Sequence, residues 1–103
     1  VSLDTLPQSR EGVDPADLMQ LAEQVMSLPN LQVKGLMAVA PLGEEPARAF
    51  ERVAESSGRL RAHHPEATDI SAGMSADWEA ALAHGATHLR IGTSITGNRP
   101  APR

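Results

Sequence analysis

The stretch GMSADWEAALAHGATHLRIGTSITG, residues 73–97, contains two turns of the kind that bind a phosphate group. In the first turn, Gly73-Met74-Ser75 precedes a helical run that is expected to begin at Ala76. In the second turn, the apolar segment Leu89-Arg90-Ile91 ends at Gly92-Thr93-Ser94. The N-terminus of a helix presents unpaired N–H groups and a partial positive charge, so each turn can bind an anion. The spacing of the two turns is typical of consecutive βα units.

The same alternation of strands and helices extends back through the chain. Apolar periodicity and punctuation by Gly and Pro predict that residues 1–3 are the end of a strand that begins before residue 1. They also predict strands over residues 31–40, 69–72 and 87–91, and helices over residues 15–28, 45–63 and 76–84. Strands that alternate with helices indicate an α/β fold with a parallel sheet and right-handed crossovers.

The helices carry recognisable start, stop and core signals. Asp14 followed by Pro15 is typical of an N-cap and first helical position. Gly85 is suited to the position just after the third helix. The side chains expected to pack on the apolar faces of the three helices are Leu18, Leu21, Val25, Met26, Leu28, Phe50, Val53, Ala54, Leu60, Trp78, Ala81 and Leu82.

Composition excludes several classes of function. The chain has 103 residues, 41% of them hydrophobic, which is enough for one domain or part of one. The absence of Cys excludes a disulfide framework and thiolate metal sites. A net charge of −4 argues against nucleic acid or an anionic membrane as the main partner. No apolar run reaches the length of a membrane span, so a cytoplasmic protein is expected.

The length and the position of the phosphate turns suggest half of a larger fold. In a (β/α)8 barrel of the TIM type, the phosphate site commonly follows the seventh and eighth strands. A closed barrel needs roughly 200 to 250 residues, and this chain supplies about half of that number. We therefore expect residues 1–97 to form the C-terminal half of such a barrel and residues 98–103 to form a polar, Pro-rich tail.

Four segments of the chain resemble one known family. They are Arg10-Glu11-Gly12-Val13, residues 31–41 (LQVKGLMAVAP), residues 71–77 (SAGMSAD) and residues 90–97 (RIGTSITG). These segments resemble the C-terminal half of the pyridoxal 5′-phosphate homeostasis proteins, which are small relatives of the alanine racemase N-terminal barrel. The resemblance covers nearly the whole chain and implies a barrel that binds pyridoxal 5′-phosphate.

The resemblance also implies roles for particular residues. Ser75 and the backbone of Gly92 and Thr93 are expected to bind the cofactor phosphate. Arg90 is expected to face the pyridine nitrogen. Met37 is expected near the ring, and Met74 completes the set of cofactor-binding residues.

The chain departs from the family pattern in three ways. Ala72 and Thr96 stand where the family carries a methionine and an aromatic residue, which reduces apolar contact around the site. The family's Schiff-base lysine lies at the end of the first barrel strand, in a half that this sequence does not include. The only lysine here, Lys34, is near the start of its strand, whereas the phosphate turns follow strand ends. We therefore predict that the chain alone forms no specific covalent adduct with the cofactor.

Each candidate residue also has a purely structural interpretation. Ser75 is equally suited to cap the third helix. Arg90 points away from its apolar neighbours, so its partner is either the cofactor or a buried carboxylate. Asp4 follows a strand and could touch a ligand in a complete barrel. His63 and His64 are expected at an exposed helix end, and His84 is expected to complement the dipole of the third helix.

Three functions remain open from the sequence. The chain is part of a non-catalytic protein that stores and delivers pyridoxal phosphate, part of an amino-acid racemase, or a half-barrel that binds nothing. Racemisation commonly uses a Lys and a Tyr on opposite faces of the ring, and this chain has no Tyr. A permanently charged arginine facing the pyridine nitrogen gives weak support to carbanion chemistry. The exposed strand edges predict a homodimer or association with a missing N-terminal half.

Overall fold

The protein forms an α/β structure in which a short parallel sheet is covered by helices. The computed structural model describes residues 1–3, 12–41, 43–92 and 95. A 3-10 turn at Pro15–Asp17 leads directly into helix α1 (Leu18–Met26), which is followed by strand β1 (Gly35–Met37). Helix α2 (Pro46–His63), strand β2 (Asp69–Ser71) and helix α3 (Trp78–Ala83) complete the order. The predicted α/β fold with parallel strands is confirmed.

Strands β1 and β2 pair in parallel, with Gly35 opposite Asp69 and Met37 opposite Ser71. The ladder continues one bond beyond each strand end, because Asp69 N donates to Lys34 O (2.9 Å) and Ala38 N donates to Ser71 O (3.1 Å). The predicted strand over residues 31–40 is therefore too long. Apolar character alone does not extend a strand, since each ladder bond requires a partner strand of matching length.

Residues 87–91 run beside β2 but do not form the regular strand that the sequence predicts. His88 N donates to Ile70 O (3.0 Å) and Ala72 N donates to His88 O (3.0 Å), which produces one isolated parallel bridge. The next bond, from Arg90 N, goes to Gly73 O (2.8 Å). Gly73 has a φ of +106°, so its backbone leaves the extended path and the ladder stops.

Residues 1–3 lie against the carboxyl end of β1 without being a strand in the described part of the chain. The backbone nitrogen of Val1 donates to Met37 O (2.8 Å), and Ser2 N donates to Val13 O (2.8 Å). Leu3 is buried in the core. The predicted strand end is wrong as a regular element, because only one of these hydrogen bonds joins it to β1.

The helix boundaries agree closely with the sequence signals. The side chain of Asp14 accepts a hydrogen bond from Ala16 N (2.9 Å) and so caps the first helical turn. Gly85 follows the C-cap of α3 with a φ of +97°, as predicted. Helix α3 begins at Trp78, two residues later than expected, because its N-cap is Asp77.

The core lies between the sheet and helix α2. Its largest fully buried side chains include Phe50, Val53 and Leu60, all on α2. Around Phe50 pack residues from α1, both strands and α3; they are Leu18, Leu36, Ile70, Ala72 and Ala81. A smaller cluster joins Ala22 of α1 to Leu60 and to Ala67 before β2.

Several residues that the sequence predicted to be buried are exposed, and one that it predicted to be exposed is buried. The exposed ones are Leu21, Met26, Leu28 and Leu82, and Trp78 is only half-buried. His64, expected at an exposed helix end, is buried, and its Nε2 lies 3.3 Å from a carboxylate oxygen of Glu23. Helix α1 packs against the end of α2, which brings Glu23 to this histidine through a contact distant in sequence.

None of the helices in the described part of the chain has the length and apolar character needed to cross a bilayer. The tail at residues 98–103, the candidate ligand contact Asp4 and the cofactor-binding candidate Thr93 lie outside the described residues.

Candidate cofactor site

The two phosphate-type turns meet at the carboxyl ends of the parallel segments. Gly92 N donates a hydrogen bond to Ser75 Oγ at 3.2 Å. This contact joins the turn after β2 to the turn after residues 87–91, although the two residues are 17 positions apart. The sequence predicted that both turns lie at one edge of the sheet, and the structure has them in direct contact. The amide of Gly92 is therefore already engaged by Ser75.

The first turn is held close to the sheet by Gly73. A Cβ atom on Gly73 would lie 2.8 Å from Ala81 Cβ and 2.8 Å from Leu89 Cδ2. Real Cβ atoms do not approach other carbons so closely, and the positive φ is also unfavourable for a residue with a side chain. Glycine at this position lets α3 and residues 87–91 approach each other, which brings the two turns together.

Ser75 does not cap α3, which corrects one of its two interpretations. The N-cap of α3 is Asp77, and no side-chain cap bond is made there. Asp77 Oδ1 instead accepts a hydrogen bond from Met74 N (2.8 Å), and Asp77 N donates to Met74 O (3.2 Å). The role of this carboxylate was missed at the level of sequence. Its signal was an acidic residue three positions after Met74, the spacing at which a side chain can close a turn.

Arg90 reaches across the carboxyl ends of both strands. Its Nη2 donates to Ala38 O (2.8 Å) and lies 3.5 Å from Ser71 O. Its Nε is buried and has no hydrogen-bond partner among the described residues. Within the same part of the chain no carboxylate pairs with Arg90, so the alternative of a buried ion pair finds no support there. The guanidinium is held by strand-end carbonyls and retains a donor without a partner.

The remaining candidates border this edge. Met37, the last residue of β1, is 52% exposed, and Met74 in the first turn is 40% exposed. Ile95, which follows the second turn, is 77% exposed and was not singled out from the sequence. These exposed apolar side chains lie at or after the ends of three successive parallel segments.

Lys34 lies at the opposite end of the sheet. Its carbonyl oxygen accepts the hydrogen bond from Asp69 N that starts the β1–β2 ladder, and its side chain is exposed. At a rise of about 3.3 Å per residue, the three steps from Lys34 to Met37 span about 10 Å. Lys34 therefore lies a strand length away from the edge that carries Ser75 and Arg90.

The histidines do not build a metal site. The described residues contain no group of three or more His, Cys, Asp or Glu side chains placed to hold a metal ion. His84 Nδ1 lies 2.9 Å from Ala80 O, at the end of α3. This position agrees with its predicted interaction with the C-terminal end of that helix.

A second arginine joins neighbouring segments on the other flank of the carboxyl edge. Arg52 of α2 donates through Nη2 to Glu44 Oε2 (3.0 Å) and to Leu3 O (2.6 Å), and its Nη1 also contacts the Glu44 carboxylate. Hydrogen bonding from Arg52 holds the pKa of the Glu44 carboxyl below its ordinary value of 4.5, against the opposing effect of burial. The pair ties the loop before α2 to residues 1–3.

A cleft of about 300 Å³ lies between the start of α2 and the first turn. Its lining includes Glu45 and Pro46 on one side and Ser75, Asp77 and Trp78 on the other. Trp78 is the only tryptophan of the chain, so its fluorescence reports on this region alone.

Comparison with known proteins gives the family. The model of the alanine racemase N-terminal domain matches residues 1–100. The chain belongs to this family. The pyridoxal phosphate homeostasis protein of Corynebacterium glutamicum is 42% identical over 100 residues, covering 97% of this chain and 45% of that protein. The protein of the same name from Escherichia coli K12 is 42% identical over 94 residues, covering 88% of this chain and 40% of that protein.

Solved structures share this fold. PipY of Synechococcus elongatus, with pyridoxal phosphate bound, superposes with a TM-score of 0.78 at 36% identity, over 94% of this chain and 47% of PipY. The form without the cofactor gives a TM-score of 0.80. The chain therefore spans less than half the length of the relatives it matches. The resemblance predicted from four sequence segments is confirmed.

Proposed function

We propose that this chain forms the phosphate- and ring-binding side of a pyridoxal phosphate carrier that works in cofactor homeostasis without catalysing a reaction. The observation that carries the proposal is the hydrogen bond from Gly92 N to Ser75 Oγ at 3.2 Å. It brings two strand-to-helix turns to one edge of a parallel sheet, where phosphate groups are commonly bound. Relatives at 42% identity are named pyridoxal phosphate homeostasis proteins, and PipY has a structure with the cofactor bound.

The unpartnered donor of Arg90 fits the cofactor ring. A buried N–H without a partner costs free energy, and a neutral pyridine nitrogen is an acceptor for it. Because Nη2 is already bonded to Ala38 O, the orientation of the guanidinium is set before any ligand binds. When bound, the cofactor supplies an aldehyde and an electron-withdrawing ring. Arg90 leaves the ring nitrogen unprotonated, which suits storage better than carbanion chemistry.

The phosphate subsite in this proposal consists of Ser75 with the backbone of Gly92 and Thr93. Met37 and Met74 supply apolar contact to the ring from the rim of the same edge, where both are exposed. No charged side chain is required for the phosphate, because the hydroxyl of Ser75, which the Gly92 amide orients, and the amide of Thr93 are donors. Affinity for the phosphate group is thus expected to be moderate.

Titration of the 103-residue chain with pyridoxine and with pyridoxine 5′-phosphate tests the phosphate subsite. Neither compound carries an aldehyde, so reaction with amines does not interfere. We expect Trp78 fluorescence to report tighter binding of the phosphorylated form. Ser75→Ala should reduce that advantage by about 1 kcal/mol, or roughly fivefold. Ser27→Ala, at the end of α1, is the matched control and should leave binding unchanged. Equal affinity of the wild-type chain for both compounds would contradict the proposal.

The same chain can be challenged with alanine enantiomers to separate a carrier from a racemase. After incubation with pyridoxal phosphate, the carrier leaves the optical rotation of either enantiomer unchanged. Loss of optical rotation at a rate above that of free cofactor would establish the racemase alternative. Absence of any cofactor binding would instead favour a half-barrel that binds nothing.

We also propose that this chain corresponds to the C-terminal half of an eight-stranded barrel. The parallel order of β1, β2 and residues 87–91, together with superposition on 47% of PipY, supports this assignment. The open strand edges would then pair with a second copy or with a separate N-terminal half, as parallel edges without partners are pairing templates. A monodisperse monomer in light scattering at micromolar concentration, with cofactor bound, would argue against association. The expected cytoplasmic location is part of the same proposal.

A further inference from the structure

We propose that Asp77 is a positioning residue for the phosphate subsite, acting through the hydrogen bond it accepts from Met74 N rather than through its charge. The inference rests on the proposed function, since it concerns the turn that presents Ser75. It starts from an unusual arrangement at α3. Asp77 occupies the N-cap but makes no cap bond to its own helix. Its carboxylate faces back toward the turn instead.

The backbone bonds around this turn explain what the carboxylate does. Gly73 O accepts from Arg90 N at 2.8 Å, which ties the start of the turn to the neighbouring segment. Met74 is bonded on both sides by Asp77, since its N–H donates to Oδ1 (2.8 Å) and its carbonyl accepts from Asp77 N (3.2 Å). Ser75 lies inside this closed loop of four residues. The bond that Asp77 accepts therefore helps to fix the position of Ser75, together with the backbone bond of the same turn.

The hydrogen bond from Met74 N to Asp77 also determines which backbone amides can bind the phosphate. Because the Met74 N–H is occupied by Asp77, it does not contribute to an anion site. Without the carboxylate acceptor, this exposed N–H would pair with water, and the turn would lose the side-chain bond that closes it. Ser75 Oγ would then lose its approach to Gly92 N, which now measures 3.2 Å. The two turns would separate, and the phosphate would lose contacts from both.

If Asp77 acted only through its charge, its removal would strengthen phosphate binding, whereas removal of a positioning residue would weaken it. A carboxylate near a bound phosphate repels it, so removing the negative charge of Asp77 should strengthen phosphate binding. Asp77→Asn removes the charge and keeps an acceptor oxygen at the same place. Asp77→Ala removes both. Glu79 lines the same cleft without a hydrogen bond to the turn, so Glu79→Ala is the matched control for loss of a nearby negative charge.

The experiment compares the phosphate preference of these variants by calorimetry. For each chain, the measured quantity is the Kd of pyridoxine divided by the Kd of pyridoxine 5′-phosphate. We expect Asp77→Asn and Glu79→Ala to keep the wild-type ratio or to raise it slightly. Asp77→Ala should lower it by up to roughly fivefold, the effect expected for losing the oriented contact of Ser75 itself. Asp77→Gly, which remains suited to an N-cap, should lower it equally and serves if the alanine variant does not fold.

The outcomes separate this inference from the function on which it rests. A wild-type ratio near one would mean that no phosphate subsite exists, and both proposals would fail. A high wild-type ratio that survives in both Asp77→Ala and Asp77→Gly would overturn the positioning role alone. A ratio raised in both Asp77→Asn and Asp77→Ala would assign the effect to charge. If an Asp77 variant bound both ligands more weakly and the ratio of the two Kd values stayed unchanged, Asp77 would have only a structural role.

Discussion

The two ends of the short parallel sheet are built in different ways. At the amino end, Gly35 and Asp69 are so close that their backbones leave no room for a side chain on the glycine. At the carboxyl end, side chains join the segments. Arg90 bonds to Ala38 O and Arg52 bonds to Leu3 O, while Ser75 accepts from the amide of the neighbouring turn.

This difference indicates that the two ends of the sheet have different roles. Close backbone packing stabilises the sheet and offers no donor to a ligand. Side-chain bonds to strand-end carbonyls join the segments at the carboxyl edge and leave the buried Nε of Arg90 without a hydrogen-bond partner among the described residues. Parallel α/β proteins commonly bind ligands at the carboxyl ends of their strands. The four tests that follow examine this comparison.

The largest effect is expected at the amino end. A Cβ atom at Gly35 would lie 1.8 Å from Asp69 O, so Gly35→Ala must separate β1 from β2. We expect the free energy of unfolding to fall by at least about 3 kcal/mol, measured by urea denaturation with circular dichroism. Gly58→Ala is the control, because this helical glycine has open space around it. That variant should gain about 0.5 to 1 kcal/mol. Equal free energies of unfolding for the two variants would contradict the close backbone contact between Gly35 and Asp69.

An intermediate effect is expected for Arg90→Met. The substitution removes the donor to Ala38 O, whose residue is 1% exposed, and keeps an apolar stem of similar length. Stability should fall by about 1 to 3 kcal/mol, because a buried carbonyl loses a charged donor. Arg61→Met, on the exposed face of α2, should change stability by less than about 0.5 kcal/mol. If both variants were equally stable, Arg90 would not hold the carboxyl edge together.

A smaller, pH-dependent effect is expected on the Glu44–Arg52 side. The pKa of Glu44 is lowered in the folded chain, so the unfolded chain binds its proton first as the pH falls. The pair therefore stabilises the fold fully above pH 4.5, and this contribution is lost as the pH falls from 4.5 through the lower folded pKa. Because both side chains are partly exposed, we expect about 0.5 kcal/mol.

Urea midpoints at a series of pH values measure this contribution. Glu44→Gln should show a shallower loss of stability on acidification than the wild-type chain. Glu51→Gln, an exposed position on α2, should follow the wild-type profile. A Glu44→Gln profile that coincides with the wild-type profile would exclude a stabilising role for the pair.

The smallest effect is expected for Lys34. Because it lies at the amino end of β1, Lys34→Met should leave the affinity for pyridoxal phosphate within about twofold of wild type. Borohydride reduction after incubation with the cofactor, followed by peptide mass analysis, should find no stoichiometric adduct on Lys34. A stoichiometric adduct on Lys34 would contradict this comparison of the two ends, because the cofactor would then react at the amino end of the sheet.

The sequence predicted the elements better than their lengths. The cap at Asp14, the end of α3 at Gly85 and nearly all of α2 follow from local signals, because capping and periodicity depend on residues within a few positions. The strands over residues 31–40 and 87–91 were overestimated. Strand length depends on what lies alongside, and Gly73 ends the pairing of residues 87–91.

Prediction of the candidate site from the sequence was limited in the same way, because it also depends on neighbouring segments. Ser75, Arg90 and Gly92 were identified from turn chemistry and family resemblance, and the structure brings Ser75 and Gly92 into contact. The carboxylate of Asp77 was missed, and Ser75 was considered as a cap that it does not form. Whether a side chain caps its own helix or closes the preceding turn depends on backbone angles that neighbouring segments impose.

The sequence by itself determined the alternation of strands and helices, the caps at Asp14 and Gly85 and the family to which the chain belongs. These properties arise from short-range spacing and from residue types that few alternatives can replace. Only the tertiary structure decided that Arg90 binds strand-end carbonyls, that α1 brings Glu23 to His64 and that two distant turns share one hydrogen bond. Such contacts join residues far apart in the chain, and their geometry exists only after the helices have packed on the sheet.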